Sequence, residues 1–129
     1  MFGFTGELYV LGRVAAETGD LDTARRNYLE TLQNMELIRE RTGIALILDN
    51  LANLANLAGR PHDAMRLAGA ADALKELVGG EAPPELIYLP DPRAPARRSL
   101  SEEEIEMAWA EGRAMSMEEA IAYARKAPE

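Results

Sequence analysis

A stripe of amide and acidic side chains within residues 49–56 is the part of this sequence best suited to binding chemistry. Asn both donates and accepts hydrogen bonds, so three Asn residues close together can hold the backbone of a peptide. Asn is a mediocre helix former, so helix propensity does not explain three of them in one helical segment, and another role is indicated. The alternatives are a solvated helix face and a self-contact surface. The predicted partner-binding residues are Tyr9, Arg13, Asp49, Asn50, Asn53 and Asn56.

The sequence has few side chains that could carry out covalent catalysis or bind a metal ion. His62 is the only histidine and the chain has no cysteine, so neither a thiolate metal site nor a catalytic triad is predicted. A surface position near the start of a helix is the simpler interpretation of His62. No phosphate-binding GxxxxGKS/T sequence is present. We predict no catalytic residue, no metal and no cofactor, and keep as an alternative a small enzyme built on carboxylates such as Glu104 or Asp49.

The elements that must position these residues are helices, and the predicted fold class is all-α. Apolar residues make up 47% of the 129 residues, with Ala and Leu dominant. A shift of forty residues aligns identical residues at helical spacing. The aligned pairs are Leu8 with Leu48, Leu11 with Leu51, Ala15 with Ala55, Gly19 with Gly59, Ala24 with Ala64, Arg26 with Arg66, Glu36 with Glu76 and Leu37 with Leu77.

Each forty-residue unit has the pattern of two helices joined by a glycine turn. In the first unit Leu11 belongs to an apolar stripe that is expected to face inward. Gly19 and Gly59 then act as helix stops, because glycine adopts the left-handed conformation without steric cost. Pro61 suits the first turn of the following helix, where its missing N–H is not needed. The sequence therefore predicts about two helical hairpins of period 40.

A proline-rich connection follows the two hairpins. Five prolines lie within residues 79–98, and a helix cannot persist through that density, so an extended connection is predicted. The apolar LIYL at residues 86–89 is expected to pack across exposed helix ends, or alternatively to be offered to a partner. We predict a single domain in three parts: residues 1–78, 79–98 and 99–129.

The last part carries two capping boxes. Ser101 with Glu104, and Ser116 with Glu119, each precede apolar residues at helical spacing. Gly112 lies between the two segments and is expected to end the first helix. A pair of C-terminal helices that caps the repeats is therefore predicted.

The charge balance argues against nucleic-acid binding. The chain has 22 acidic and 14 basic side chains, a net charge of −8, whereas phosphate binding needs Lys and Arg. Arg93, Arg97 and Arg98 form the densest basic cluster, and a solvated linker is simpler there than a phosphate site. No apolar run reaches the roughly 18 residues that cross a bilayer, and no signal peptide is evident. We expect a cytoplasmic protein in which this segment contacts neither nucleic acid nor membrane.

The repeat pattern resembles the tetratricopeptide repeat. In the first unit the resemblance rests on the small residues Gly12, Ala15 and Ala24, together with Tyr28. The second unit has alanine at the matching positions 52, 55, 64 and 68, and at positions 52 and 68 it replaces the usual glycine and aromatic residue. A period of 40 instead of 34 implies longer helices.

Two longer segments resemble the C-terminal arm of bacterial LuxR-type transcriptional regulators and signal-transduction ATPases, an arm also found in cyclase-like and kinase-like relatives. They are RPHDAMRLAGAADALKELVG and EEIEMAWAEGRAMSMEEAIAYA, most distinctive at residues 67–71 and 109–113. The resemblance covers residues 6–124 and departs in the proline stretch, where relatives usually carry a further helix. It implies an arm for protein or ligand contact, so we expect either a fragment of a larger regulator or a short gene for the end of the arm.

The leading functional expectation is a non-catalytic protein-interaction or sensor module of a bacterial signalling or transcription regulator. First helices of such repeats line the concave surface, where the predicted stripe would meet a protein or peptide. The alternative is a structural self-association domain without a separate ligand. Because the open ends of a two-repeat stack must be capped or paired, a homodimer is a reasonable expectation.

Overall fold

The computed structural model describes residues 2–78 and 91–126, and for residues 2–6 and 78 only the backbone. Within these ranges the chain forms seven α-helices and no strand, which confirms the predicted all-α class. The helices are α1 (Phe2–Glu17), α2 (Leu21–Leu37), α3 (Arg41–Leu57), α4 (Pro61–Val78), α5 (Arg93–Ala96), α6 (Glu102–Arg113) and α7 (Met117–Lys126). None of them combines the length and apolar character that a bilayer crossing requires.

The turns that join the first four helices recur every twenty residues. Each turn between them places one residue in the left-handed conformation: Gly19 at φ 90°, Arg39 at φ 57° and Gly59 at φ 80°. The predicted stops at Gly19 and Gly59 are therefore confirmed, and α4 begins at Pro61 as expected. Arg39 forms the same turn without the conformational freedom of glycine.

The first four helices pack in chain order, α1 on α2, α2 on α3, and α3 on α4. The core between them holds Tyr28, Leu32, Ile44 and Leu48, each no more than 1% exposed. Gly12 on α1 lies directly under the ring of Tyr28, and a Cβ there would be 2.6 Å from the ring carbon Cε1. A side chain at position 12 would therefore force α1 away from α2.

Two glycines bring α4 and α6 into backbone contact. A Cβ at Gly112 would be 2.8 Å from the carbonyl carbon of Arg66, and one at Gly69 would be 3.1 Å from that of Trp109. The prediction that Gly112 ends a helix is wrong, because α6 continues to Arg113. Glycine is needed at position 112 for the close approach of two helices.

The prediction of an extended connection through residues 79–98 is wrong at its C-terminal end. Arg93–Ala96 form the short helix α5, and the side chain of Ala96 is fully buried. Pro95 lies in the first turn of a helix, where its missing N–H breaks no hydrogen bond. The LIYL segment at residues 86–89 lies outside the described residues.

Two arginines of the basic cluster pair with carboxylates of α6. The guanidinium of Arg93 lies 4.3 Å from the ring centroid of Trp109, and its Nη2 is 3.3 Å from Glu106 Oε2. Arg97 Nε lies 2.6 Å from Glu102 Oε2. These arginines attach α5 to α6.

Helix α7 lies across α2, α3 and α4. It buries three side chains of small or moderate size: Ala120, Ile121 and Ala124. Arg25 of α2 holds its C-terminal turn, since Nη2 donates to the carbonyl oxygens of Ala124 at 3.3 Å and Arg125 at 3.2 Å. The C-terminal helix of the predicted pair is thus attached by few apolar contacts and several polar ones.

Both predicted capping boxes form. Glu104 N donates to Ser101 Oγ at 3.1 Å and Ser101 N donates back to Glu104 Oε1 at 2.8 Å. The same reciprocal pair joins Ser116 and Glu119 at 3.0 and 2.8 Å. The starts of α6 and α7 are therefore fixed by their own sequences.

Candidate functional site

The hydroxyl group of Tyr9 joins α1 to α3. It accepts hydrogen bonds from Arg13 Nη1 at 3.1 Å and from Asn50 Nδ2 at 3.4 Å. Arg13 also lies 3.7 Å from the carboxylate of Glu17. The hydrogen bond to Tyr9 raises the pKa of Arg13, so its guanidinium stays charged. Three of the six predicted binding residues are thus brought together.

The sequence predicted that Asn50 would lie on an accessible helix face, but the structure buries it. Its side chain is 1% exposed, and Nδ2 also donates to the carbonyl oxygen of Leu46 at 2.8 Å. Its Oδ1 is buried and accepts no hydrogen bond from the described residues. Asn50 therefore holds α1 against α3 and is not available to a peptide at the surface.

The other predicted residues have separate surroundings. Asp49 forms an ion pair with Lys75 of α4, and burial raises the pKa of Asp49 although the ammonium group opposes this. Asn56 Nδ2 donates to the carbonyl oxygen of Pro92 at 3.1 Å, just before α5. Asn53 lies on α3, half-buried. The predicted stripe is therefore divided among contacts to α1, to α4 and to the segment before α5.

An apolar surface on α1 was not recognised in the sequence. Val10, Leu11 and Val14 are 56%, 55% and 50% exposed and share one side of the helix through their i, i+1 and i+4 spacing. We call these three residues the outer face of α1. The expectation that Leu11 faces inward is wrong, because no described helix covers this side. The apolar residues were visible in the sequence, but the direction in which α1 lacks a neighbour was not.

Other large apolar side chains exposed in the described ranges are isolated or lie at helix ends. They are Leu37, Ile38, Leu57, Leu77 and Met107. Single exposed apolar residues are common on protein surfaces, whereas several together indicate a contact surface. The outer face of α1 differs from these residues because it combines three exposed apolar side chains in one helix.

In the part of the chain that the structure describes, the acidic and histidine side chains form no metal centre. His62 is exposed near the start of α4, where the sequence predicted it. Within residues 2–78 and 91–126, no group of three or more His, Cys, Asp or Glu side chains is placed to hold a metal ion.

The chain is similar to part of much larger proteins. Three relatives from Mycobacterium bovis and two strains of Mycobacterium tuberculosis are named "Putative HTH-type transcriptional regulator". Each is 31% identical over 129 aligned residues, which cover 92% of this chain but only 14% of the relative. No protein-family profile matches the chain. No solved structure matches it significantly. The resemblance to bacterial transcriptional regulators is confirmed in this form, as a distant match to a short part of them.

Proposed function

We propose that this chain is a non-catalytic helical-repeat module of a bacterial signalling or transcription regulator, and that it docks an amphipathic helix of a protein partner on the outer face of α1. The observation that carries the proposal is the exposure of Val10, Leu11 and Val14. Similarity to proteins named as transcriptional regulators supports the part of the proposal that places the module in a bacterial regulator.

The repeat relation supports a helix as the occupant. Forty residues after Val10, Leu11 and Val14 stand Asn50, Leu51 and Leu54 of α3, which are 1%, 5% and 5% exposed. Leu51 and Leu54 line one cleft with Leu21 and Arg25, so α2 lies along this side of α3. The outer face of α1 therefore corresponds to a surface that a helix covers one repeat later.

The small residues behind the tetratricopeptide resemblance support the same relation between the units. Ala24 in α2 and Ala64 in α4 are both fully buried. The two hairpins are also similar in length, since α1 and α2 span residues 2–37 and α3 and α4 span residues 41–78. Repeats of this kind bury a continuous core by stacking, and a terminal repeat leaves one face open.

The size of the surface predicts a weak or accessory contact. Stable complexes of separate proteins bury about 800 Å² on each partner, which exceeds one face of a single helix. Three half-exposed aliphatic side chains contribute a few kcal/mol at roughly 25 cal/mol per Å². The partner helix therefore needs additional contacts beside the outer face, where Arg13 and Glu17 offer charged groups.

Self-association through the same face is the second candidate. The opposite end of the stack is covered, because α6 packs on α4 through Gly69 and Gly112. With one end closed, two copies would pair through α1 about a two-fold axis. Such a contact would make the outer face of α1 a dimer interface and leave no docking site for another protein.

Both candidates can be tested with a helix of known sequence. A labelled peptide of residues 20–38, which contains α2, serves as the probe and fluorescence anisotropy measures its binding. We expect binding to the wild-type chain and to a Leu77→Glu control, and a loss of about tenfold or more with Leu11→Glu/Val14→Glu, because burying carboxylates is costly. Leu77 is 71% exposed, so the control adds a carboxylate at another exposed apolar site.

Light scattering separates the two candidates. Peptide binding by a chain of monomeric mass supports docking. A dimeric mass that falls to the monomeric value in Leu11→Glu/Val14→Glu supports self-association. If the wild-type chain neither binds the peptide nor dimerises, both candidates are wrong.

A further inference from the structure

A cleft lies where the N-terminal ends of α2 and α4 meet the C-terminal ends of α3 and α7. Its volume is about 320 Å³, and small-molecule sites have volumes of about 300–1,000 Å³. Four leucines from three helices form its apolar wall: Leu21, Leu51, Leu54 and Leu67. An aliphatic side chain would therefore find a complementary surface here.

The charged groups of the cleft are balanced. Arg25 and Arg60 line it together with Asp22 and Asp63, giving two positive and two negative side chains. A ligand with a single charge would meet a like charge, and an uncharged apolar ligand would displace water from all four groups and offer them no new hydrogen bond. A small zwitterion with an aliphatic body matches both the charges and the wall.

The last turn of α7 already supplies the two kinds of group that a zwitterion would bring. Arg25 binds the carbonyl oxygens of Ala124 and Arg125, which carry the partial negative charge of a helix C-terminus. Asp63 accepts a hydrogen bond from the hydroxyl group of Tyr123. An acceptor thus faces the cation and a donor faces the anion, as a carboxylate and an ammonium group would.

We propose that this cleft binds a free aliphatic α-amino acid. Its carboxylate pairs with Arg25, its ammonium group with Asp63, and its side chain packs on the leucine wall. Because Arg25 and Asp63 also hold α7, ligand binding releases the last turn of that helix. The cleft then acts as a sensor whose output is the position of α7. This inference concerns a different surface from the outer face of α1 and does not depend on the proposed function.

The chemical part of the proposal is tested with L-leucine and two analogues of the same carbon skeleton. Isocaproate lacks the ammonium group and isoamylamine lacks the carboxylate. Isothermal titration calorimetry on the whole chain should show saturable binding of L-leucine, with each analogue weaker by about tenfold or more, because a charge-assisted pair is lost. Equal binding of L-leucine and isocaproate would overturn the zwitterion assignment. Absence of L-leucine binding at millimolar concentration would overturn the site.

Three substitutions locate the binding. Arg25→Gln removes the proposed carboxylate partner and is expected to weaken L-leucine binding by about tenfold or more. Arg26→Gln is the matched control, since Arg26 is exposed on the same helix and bonds only Thr23 within its own turn in the described contacts. Ala55→Leu fills the cleft from α3 without removing Arg25. We expect Ala55→Leu to abolish binding with an unchanged circular dichroism spectrum, whereas wild-type affinity in a folded Ala55→Leu variant would refute the location.

Hydrogen exchange tests the coupling to α7. L-leucine should increase amide exchange within residues 117–126 and leave the exchange of α6 unchanged, because no residue of α6 lines the cleft. Slower exchange in residues 117–126 on addition of L-leucine would contradict the release of α7.

Discussion

Tyr28 is the largest side chain that the core buries completely. It is 1% exposed, and its ring centroid lies 6.3 Å from that of Tyr9 at a 36° interplanar angle. Gly12 provides the space for the ring on α1. Burial raises the pKa of the Tyr28 phenol from its usual 10 to about 12, because the anion would lose its hydration.

The shifted phenol makes stability depend on alkaline pH. The unfolded chain releases the Tyr28 proton near pH 10, whereas the folded chain keeps it until about pH 12. The stabilisation is therefore complete below pH 10 and is lost as the pH rises toward 12. Two pKa units correspond to about 3 kcal/mol. Urea unfolding of wild type and Tyr28→Phe should be compared from pH 10 to pH 12. The free energy of unfolding should fall further in wild type than in Tyr28→Phe, and equal falls would assign the effect to other groups.

Residue types in this sequence predicted helical position better than they predicted surroundings. Asn50 and Asn53 lie three positions apart on α3, yet one is buried under α1 and the other is half-exposed. Leu11 and Leu51 are identical in type and lie forty residues apart, yet one is exposed and the other buried. The difference depends on whether a neighbouring helix is present, and neither residue carries information about that.

At the scale of elements, the crossing of α4 and α6 fixes the C-terminal part of the fold. Ion pairs surround it: Arg66 Nε lies 2.7 Å from Glu111 Oε1, and Arg113 Nη2 lies 2.8 Å from Glu76 Oε1. These side chains are partly exposed, and such pairs contribute little in water. The backbone approach at Gly112 is therefore the stronger determinant of this packing.

Gly112→Ala tests that packing. The new Cβ would overlap the Arg66 carbonyl group, so α6 must shift, and overpacking of this kind costs about 1–3 kcal/mol. Gly43→Ala is the matched control, because its Cβ meets the flexible thioether of Met35, which can move. Alanine also favours a helix over glycine by about 1 kcal/mol. Chemical denaturation should show a net loss of up to about 2 kcal/mol for Gly112→Ala and no loss for Gly43→Ala, whereas equal changes would argue against a close crossing.

Local signals predicted most helix boundaries. The capping boxes at Ser101 and Ser116 and the stops at Gly19 and Gly59 depend only on neighbouring residues, and all four were correct. The turn at Arg39 has no glycine and carried no comparable signal. The number of prolines led to the prediction of an extended connection where α5 forms, because a proline in a first helical turn is compatible with a helix. Gly112 was misassigned because glycine serves equally as a stop and as a contact point.

At the scale of the whole molecule, the described helices leave one end of the packed series covered and the other open. Helix α6 covers α4, whereas no described helix covers the outer face of α1. A head-to-tail filament needs two complementary open ends, and a chain with one open end can form at most a closed pair. The covering helix therefore limits assembly.

Opening the covered end should change the assembly of the protein. Gly112→Leu is expected to prevent α6 from packing on α4. The exposed side of α4 would then be a second surface that can contact another chain. We expect larger, concentration-dependent species for this variant in analytical ultracentrifugation, and no more than two chains per particle for wild type. Combining Gly112→Leu with Leu11→Glu/Val14→Glu should again limit particles to two chains. Wild-type particles larger than a pair would show that the end at α6 is not closed.

The twenty-residue spacing of the turns between α1 and α4 has a consequence for how the chain folds. Each of these helices contacts the next across a turn of three residues, so its contacts are short in sequence and the relative contact order of this part is low. Such chains fold quickly and can nucleate at any adjacent pair of helices. Helix α7 differs, since Arg25 and Arg125 meet across 100 positions of sequence. During synthesis the first four helices can assemble as they leave the ribosome, whereas the cleft beneath α7 is completed only after the last turn has been translated.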